Sequence, residues 1–179
     1  MNSSVIQEIQ KGSREAFKQL YDEYFEYAFR IANAVIRNET YAADAVQETF
    51  IRVYQHVHLF DISKPFKPWF YRILINECKR ILIRSSKVIP IDYTWEDQKS
   101  LSKQDTYRFE QFSDLYQAIQ SLKEHQRIPI ILKYLHDLTD KEIAEVLDTN
   151  INTIKSRLFK ARNHLKEVLE YLEKKEGSV

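Results

Sequence analysis

Leu138-Thr139-Asp140-Lys141-Glu142-Ile143-Ala144-Glu145-Val146-Leu147, resuming as Thr153-Ile154-Lys155-Ser156-Arg157-Leu158-Phe159-Lys160-Ala161-Arg162, is the stretch that decides the fold. Thr139 followed three residues later by Glu142 is a capping box, in which each side chain meets the other's backbone N–H. Ile143, Ala144 and Leu147 give the short helix an apolar side, and Asp148-Thr149-Asn150 ends it. Asn152 is read as the cap of a second helix, with Ile154, Leu158, Ala161, Leu165 and Val168 facing inward. Its outward face holds Lys155, Ser156, Phe159, Lys160 and Asn163. A short capped helix, a tight turn and a second helix with a basic outer face spell a helix-turn-helix. Lys155, Arg157 and Lys160 can reach phosphates or guanine edges, and Ser156 can hydrogen-bond to either strand. Phe159 on that polar face suits a thymine methyl or a sugar. The competing reading is an amphipathic helical hairpin with a lysine-rich surface.

Composition points the same way. The chain has 179 residues and only two glycines, Gly12 and Gly177, about a sixth of the usual share of roughly 7%. Without interior glycines no Gly-rich phosphate loop can be written, which excludes the nucleotide-binding α/β folds built on one. Tight two-residue hairpins are disfavoured for the same reason. What remains is mostly helix. The single cysteine, Cys78, rules out an internal disulfide and a Cys-based zinc or iron–sulfur site. Met1 to Lys11 lacks the apolar run of a signal peptide, and no stretch approaches ~18 consecutive apolar residues. The expectation is an intracellular protein with no membrane insertion of its own.

The net charge of +1 hides two basic islands. Residues 64–87 carry +6, with Glu77 the sole acid, and residues 151–166 carry +5 with no acid, so the rest sums to −10. Two such islands in an acidic chain suit two phosphate-contacting surfaces, or two solvated helix faces.

Outward from the helix-turn-helix, periodicity predicts a long helix capped by Ser13 and stopped at Asn38, and a second over Tyr41–His56. The first carries Phe17, Leu20, Tyr21, Tyr24, Ala28, Ile31, Ala32 and Val35 at helical spacing. The second turns Val46, Phe50 and Val53 inward and Asp44, Gln47, Glu48, Ile51 and Gln55 outward. A third runs from Pro65 to Ser85, its two prolines in the first turn where a missing N–H costs little. Phe70, Leu74, Cys78 and Ile81 form its buried stripe; Trp69, Arg72, Asn76, Lys79 and Arg80 form the opposite one. From Lys87 to Ser113 periodicity fails and acids gather, so the domain boundary falls there. Helices over Asp114–Leu122 and Glu124–Leu135 follow, the second kinked or delayed by Pro129. The fold class is all-α: an N-terminal domain over 1–87, an acidic flexible linker over 88–113, and a C-terminal helix-turn-helix domain over 114–179.

At this point the sequence resembles the extracytoplasmic-function (ECF) sigma factors of bacterial RNA polymerase. The two stretches quoted first are similar to the family's −35-binding domain. Asp44-Ala45-Val46-Gln47-Glu48-Thr49-Phe50 resembles its core-polymerase-binding helix, and Phe66-Lys67-Pro68-Trp69-Phe70-Tyr71-Arg72-Ile73 with Asn76 its −10 segment. The three motifs stand in the expected order between Gly12 and Leu169. The resemblance implies a dissociable specificity subunit that docks on core RNA polymerase, recognises promoter DNA and supports its melting, without chemistry of its own. It implies −35 contacts from Thr153, Lys155, Ser156, Arg157, Phe159, Lys160 and Arg162. It implies −10 contacts from Lys64, Phe66, Lys67, Trp69, Arg72, Asn76, Lys79 and Arg80, with the loop Phe60–Phe66 capturing a flipped base. Asp44, Gln47, Glu48 and Arg52 would face the polymerase, and an anti-sigma factor would be a further partner. Asp148 stands where the family usually has Gly, a substitution Asp tolerates in a left-handed turn. Ala42-Ala43 precedes Asp44 where an acid is common in the family.

Other readings stay open beside it. Trp69 fits both a core position and a stacking platform for an unpaired base; Tyr71 reads as core. Glu48 and Arg52 also fit a plain i,i+4 pair on a solvated face. A stand-alone regulator would bind duplex DNA autonomously, and a structural helical adaptor would show no salt-dependent DNA affinity. His56 and His58 fall on different helix faces without a third ligand, so no metal or cofactor is expected. Cys78 in its apolar stripe reads as a small hydrophobe rather than a nucleophile, and no enzyme is expected.

Overall fold

The computed structural model describes residues 3–86 and 113–176, all of whose regular elements are helical. The acidic segment expected over 88–113 lies outside the described residues except for Ser113. The helices are α1 (Ser3–Gln10), α2 (Arg14–Ile36), α3 (Glu39–His56), α4 (Phe66–Ser86), α5 (Ser113–Ser121), α6 (Glu124–Tyr134), α7 (Asp140–Val146) and α8 (Ile151–Glu176), with a single 3₁₀ turn at Val57–Leu59. Helices α1–α4 pack around one another, and α5–α8 form a second group.

Local chemistry accounts for most helix ends. The Ser13 side chain accepts from the Ala16 N–H (3.2 Å) and opens α2 as expected. The expected stop at Asn38 is corrected: α2 ends at Ile36, Arg37 takes the left-handed conformation (φ 65°), and Asn38 is the cap of α3. Its Oδ1 accepts from the Tyr41 N–H at 2.9 Å, the role a short polar side chain fills best at a helix start. Pro129 does not delay its helix. It lies buried inside α6, which forgoes one backbone hydrogen bond there. Helix α1 was not expected at all. Eight residues are too few for periodicity to register, and so short a helix depends on tertiary packing, here through buried Ile6 and Ile9.

The first core is aromatic. Phe70 is fully buried and meets Tyr24, Phe50, Phe66 and Tyr71, with ring centroids 4.9–6.0 Å apart. Cys78 is buried in α4, and burial pushes its thiol up to about 12, consistent with a packing role. In the second group Ile143, Ile154, Leu158 and Ala161 close α7 on α8.

The two groups touch. Helix α7 packs against α4, and α6 against the end of α2. Arg127, buried, donates to the carbonyls of Leu122 (3.2 Å) and Val35 (3.3 Å). The second of these lies in the last turn of α2, where cationic groups complement the helix dipole. Gln120 Nε2 reaches the Ala34 carbonyl (3.4 Å), and Arg37 donates to the Gln120 carbonyl. At the α4 contact the Tyr71 hydroxyl lies 3.2 Å from His136 Nδ1, and the imidazole stands edge-on to Tyr27.

Burial, reinforced by Lys67 and Arg30, lowers the His136 pKa to about 4. The unfolded chain, with an ordinary imidazole near 6.5, therefore binds the extra proton first. His136 contributes stability in full above pH 6.5, and it is lost as pH falls from there toward 4. Part of the shift comes from exposed, screened cations, so the expected loss is about 2 kcal/mol rather than the full value of the shift. Melts of the wild type and His136→Gln between pH 7 and 4.5 should show a shallower decline for the variant; parallel declines would remove His136 as the cause.

Candidate nucleic-acid and polymerase interfaces

The helix-turn-helix forms as its spacing required. Thr139 Oγ1 accepts from the Glu142 N–H (3.2 Å), and Glu142 Oε2 accepts from the Thr139 N–H (2.8 Å). Asp148 occupies the turn at φ 49°, and the Thr149 N–H returns to the Ala144 carbonyl at 3.0 Å. Ala144 is buried where the two helices meet. One detail is corrected. The cap of α8 is Asn150, whose Oδ1 accepts from the Asn152 N–H at 2.7 Å, so the helix starts at Ile151. With Ile154, Leu158 and Ala161 turned inward, α8 exposes Lys155, Ser156, Phe159 and Lys160 together on its other side. Phe159 is 58% exposed, a large apolar ring in water among cations. Thr153 and Arg157 are half-buried at the edge of that face, and Arg162 lies within 3.4 Å of the Tyr134 hydroxyl, turned toward α6.

The basic island around α4 divides its residues differently. Lys64, Lys67, Arg72 and Asn76 are exposed, and Lys79 is half-buried. Phe66 is only 7% exposed, held among Tyr24, Phe60, Trp69 and Phe70, so most of its ring is core. Trp69 lies between the two readings: half-buried, it packs on Phe60 (5.0 Å) and Phe66 (5.5 Å) and keeps part of its surface free. Arg72 lies 3.4 Å from the Asp148 carboxylate, which brings the α4 surface against the turn of the helix-turn-helix.

On α3, Asp44 and Gln47 are exposed, while Glu48 and Arg52 are tied into an ion network. Its centre is Glu77 of α4, a residue not expected to matter. The Glu77 carboxylate, 5% exposed, meets Arg52 and Arg80 at 2.5 Å each, and Glu48 lies 3.3–3.4 Å from the same two guanidiniums. These approaches are not aligned as hydrogen bonds at Arg52 Nε or Glu77 Oε2, so charge rather than directed hydrogen bonding holds the group. The signal was in the sequence: a lone acid in a +6 segment, three residues before an arginine. A second unexpected feature is an aromatic stripe beside α3. Tyr21 stacks on Phe25 and Phe25 on Phe29, with Tyr21 and Phe25 about two-fifths exposed, and Tyr21 meets Phe50 of α3 at 4.7 Å. Tyr21 shares the helical spacing of the buried residues of α2, and the apolar stripe there continues to the surface.

Comparison with known proteins assigns the chain to a family. The sequence matches sigma-70 region 2 over residues 20–88 and sigma-70 region 4 over residues 112–165. It is 32% identical to the RNA polymerase sigma factor SigV of Bacillus subtilis, across 74% of this chain and 78% of that one. It is 28% identical to the ECF RNA polymerase sigma factor SigW of the same organism, across 93% of this chain and 96% of that one. The chain belongs to the ECF sigma factors of RNA polymerase. An ECF sigma factor is a transcription initiation factor that recognises promoters, with core RNA polymerase and promoter DNA as its partners. The fold is shared with two solved structures: CnrH in complex with the cytosolic domain of CnrY (TM-score 0.74, 21% identity, 94% of this chain and 97% of that one), and RpoE of Bartonella quintana in complex with the anti-sigma factor NepR (TM-score 0.67, 24% identity, 86% and 96%). Among the described residues of this ECF sigma factor no helix is long and apolar enough to cross a membrane.

Proposed function

We propose that this ECF sigma factor divides its work among three surfaces of two domains, 1–87 and 114–179, joined through 88–113. Helix α8 reads −35 duplex DNA through Lys155, Ser156, Phe159 and Lys160, with Thr153, Arg157 and Arg162 at the margins. The surface around Trp69, with Lys64, Lys67, Arg72, Asn76 and Lys79, holds melted −10 DNA. Helix α3 docks on core polymerase through Asp44, Gln47 and Glu48, flanked by the Tyr21–Phe25 stripe, which supplies the aromatic anchors that interface centres favour. Arg52 and Arg80 act through the Glu77 network more than by direct contact. The chain performs no catalysis and works in the cytoplasm with polymerase. By analogy with CnrH and RpoE, a regulatory protein of anti-sigma type holds it in check.

The observation that carries the reading is the α8 face, where two lysines, a serine and an exposed phenylalanine stand opposite a fully buried apolar stripe. The polymerase contact is tested with Asp44→Lys. Asp44 is exposed and outside the ion network, so the melt should stay within 1–2 °C while affinity for core polymerase falls by about tenfold, or ~1.4 kcal/mol. Unchanged affinity would withdraw α3 as the docking face. Glu48→Lys is the poorer probe, because it would set an ammonium between two guanidiniums.

A further inference from the structure

Helix α1 leans on the segment that follows α3. Besides burying Ile6 and Ile9, it sends the Gln10 carboxamide across to that segment. Gln10 Nε2 donates to the Val57 carbonyl and to the Phe60 carbonyl, both at 2.8 Å. One NH₂ group thus fixes both ends of the 3₁₀ turn. Beyond it the loop is built rather than loose. Asp61 accepts from the Ser63 N–H (3.0 Å) and hydroxyl (2.7 Å), and the Lys64 N–H donates to the Asp61 carbonyl at 3.0 Å. Those bonds from Ser63 hold the Asp61 carboxyl below the usual carboxylate range. The Phe60 ring meets Phe66 and Trp69 at centroid distances of 5.6 and 5.0 Å. Between α1 and this loop lies a cup of about 90 Å³, lined by Ser3, Ile6, Phe60, Ile62, Lys64 and Phe66.

We propose that Gln10 is a positioning residue for base recognition, and that α1 forms one wall of the cup that receives an unpaired base. The inference rests on the assignment of Phe60–Phe66 to −10 DNA and adds to it the element that shapes the loop. Ile62, 39% exposed, offers an apolar surface to the face of a base, backed by the buried Ile6, Phe60 and Phe66. The Lys64 ammonium at the rim suits its phosphate, and the Ser3 hydroxyl can both donate to and accept from a base edge. The cup keeps that shape only while the Phe60 carbonyl is anchored, because the ring of Phe60 is both a wall and the link to Trp69.

Two substitutions separate positioning from bulk stability. Gln10→Glu keeps the size but presents acceptors to two carbonyls; Gln10→Lys restores a donor. Each full-length variant is assembled with core polymerase and offered a pool of randomised single-stranded DNA decamers, and the retained strands are sequenced. Wild-type holoenzyme should enrich one base at a defined position. Gln10→Glu should lower that enrichment at least fivefold, with core affinity and −35 duplex affinity within twofold of wild type, and Gln10→Lys should recover most of it. Unaltered enrichment in Gln10→Glu overturns the proposal. So does a Gln10→Lys variant as impaired as Gln10→Glu, or a loss that merely parallels core binding and thermal stability. If wild-type holoenzyme enriches no base, the −10 assignment itself fails and the role of Gln10 falls with it.

Discussion

Glu77→Ala is expected to cost about 3 kcal/mol of stability, roughly 6–12 °C in melting temperature for a chain of this size. The carboxylate is almost fully enclosed, and two guanidiniums converge on it from α3 and α4. Removing one member of such a group leaves uncompensated charge, which typically costs about 3–5 kcal/mol. The low end applies because Arg52 and Arg80 keep about a third of their surface in water and can partly resolvate. The exposed Lys18–Asp22 pair gives the contrast: Lys18→Ala should change stability by under ~1 kcal/mol. Thermal melts of the two variants decide the matter. A Glu77→Ala melt within 3 °C of wild type would mean that Glu48 alone neutralises both arginines.

Lys160→Ala and Trp69→Ala should fail at different steps. Lys160 projects from α8 beside Phe159, away from the buried stripe, so its loss should weaken −35 duplex binding without touching the fold. The cost is about 1–3 kcal/mol if the ammonium reads a guanine, or a salt slope reduced by about one if it meets only phosphate. Trp69 sits on the other basic island, half-buried on Phe60 and Phe66. Its truncation should leave duplex affinity intact and reduce promoter opening, because stacking on an unpaired base is worth roughly 1–3 kcal/mol. Its packing adds a stability loss, so Trp69→Phe is the better variant, keeping much of the contact while shrinking the platform. Duplex binding together with permanganate probing of melted thymines resolves the pair. If Trp69→Phe opens promoters as wild type does and Trp69→Ala only lowers the melt, Trp69 is core.

How far these surfaces could be read in advance varied with the physics behind them. The capping box at Thr139–Glu142 and the stripe Ile154–Leu158–Ala161 are local, and a local pattern is visible in one dimension. The face of α8 followed from them by subtraction. Phe66 and Arg80 were harder, because what occupies them comes from elsewhere: Tyr24 against Phe66, Glu48 and Glu77 against Arg80. Helical spacing says which side a residue is on, not which distant partner already stands there. Helix α1 and Gln10 lay beyond such reasoning, since their reach is to Val57 and Phe60, some fifty residues along the chain.

A chain with almost no glycine must still turn corners; Gly12 (φ 91°) turns the one between α1 and α2, and three later ones fall on residues with side chains. Arg37, Asp137 and Asp148 all hold positive φ, a posture that costs an ordinary L-residue roughly 1–2 kcal/mol and an aspartate less. Two of them use the side chain that glycine lacks. Arg37 reaches over to the Gln120 carbonyl, and Asp148 reaches over to Arg72. The same side chains whose Cβ atoms strain the corner therefore latch one half of the molecule to the other. Glycine at either corner would ease the bend and undo the latch. Local comfort and long-range grip are set against each other at single residues, so the contact between the two halves can be tuned one corner at a time.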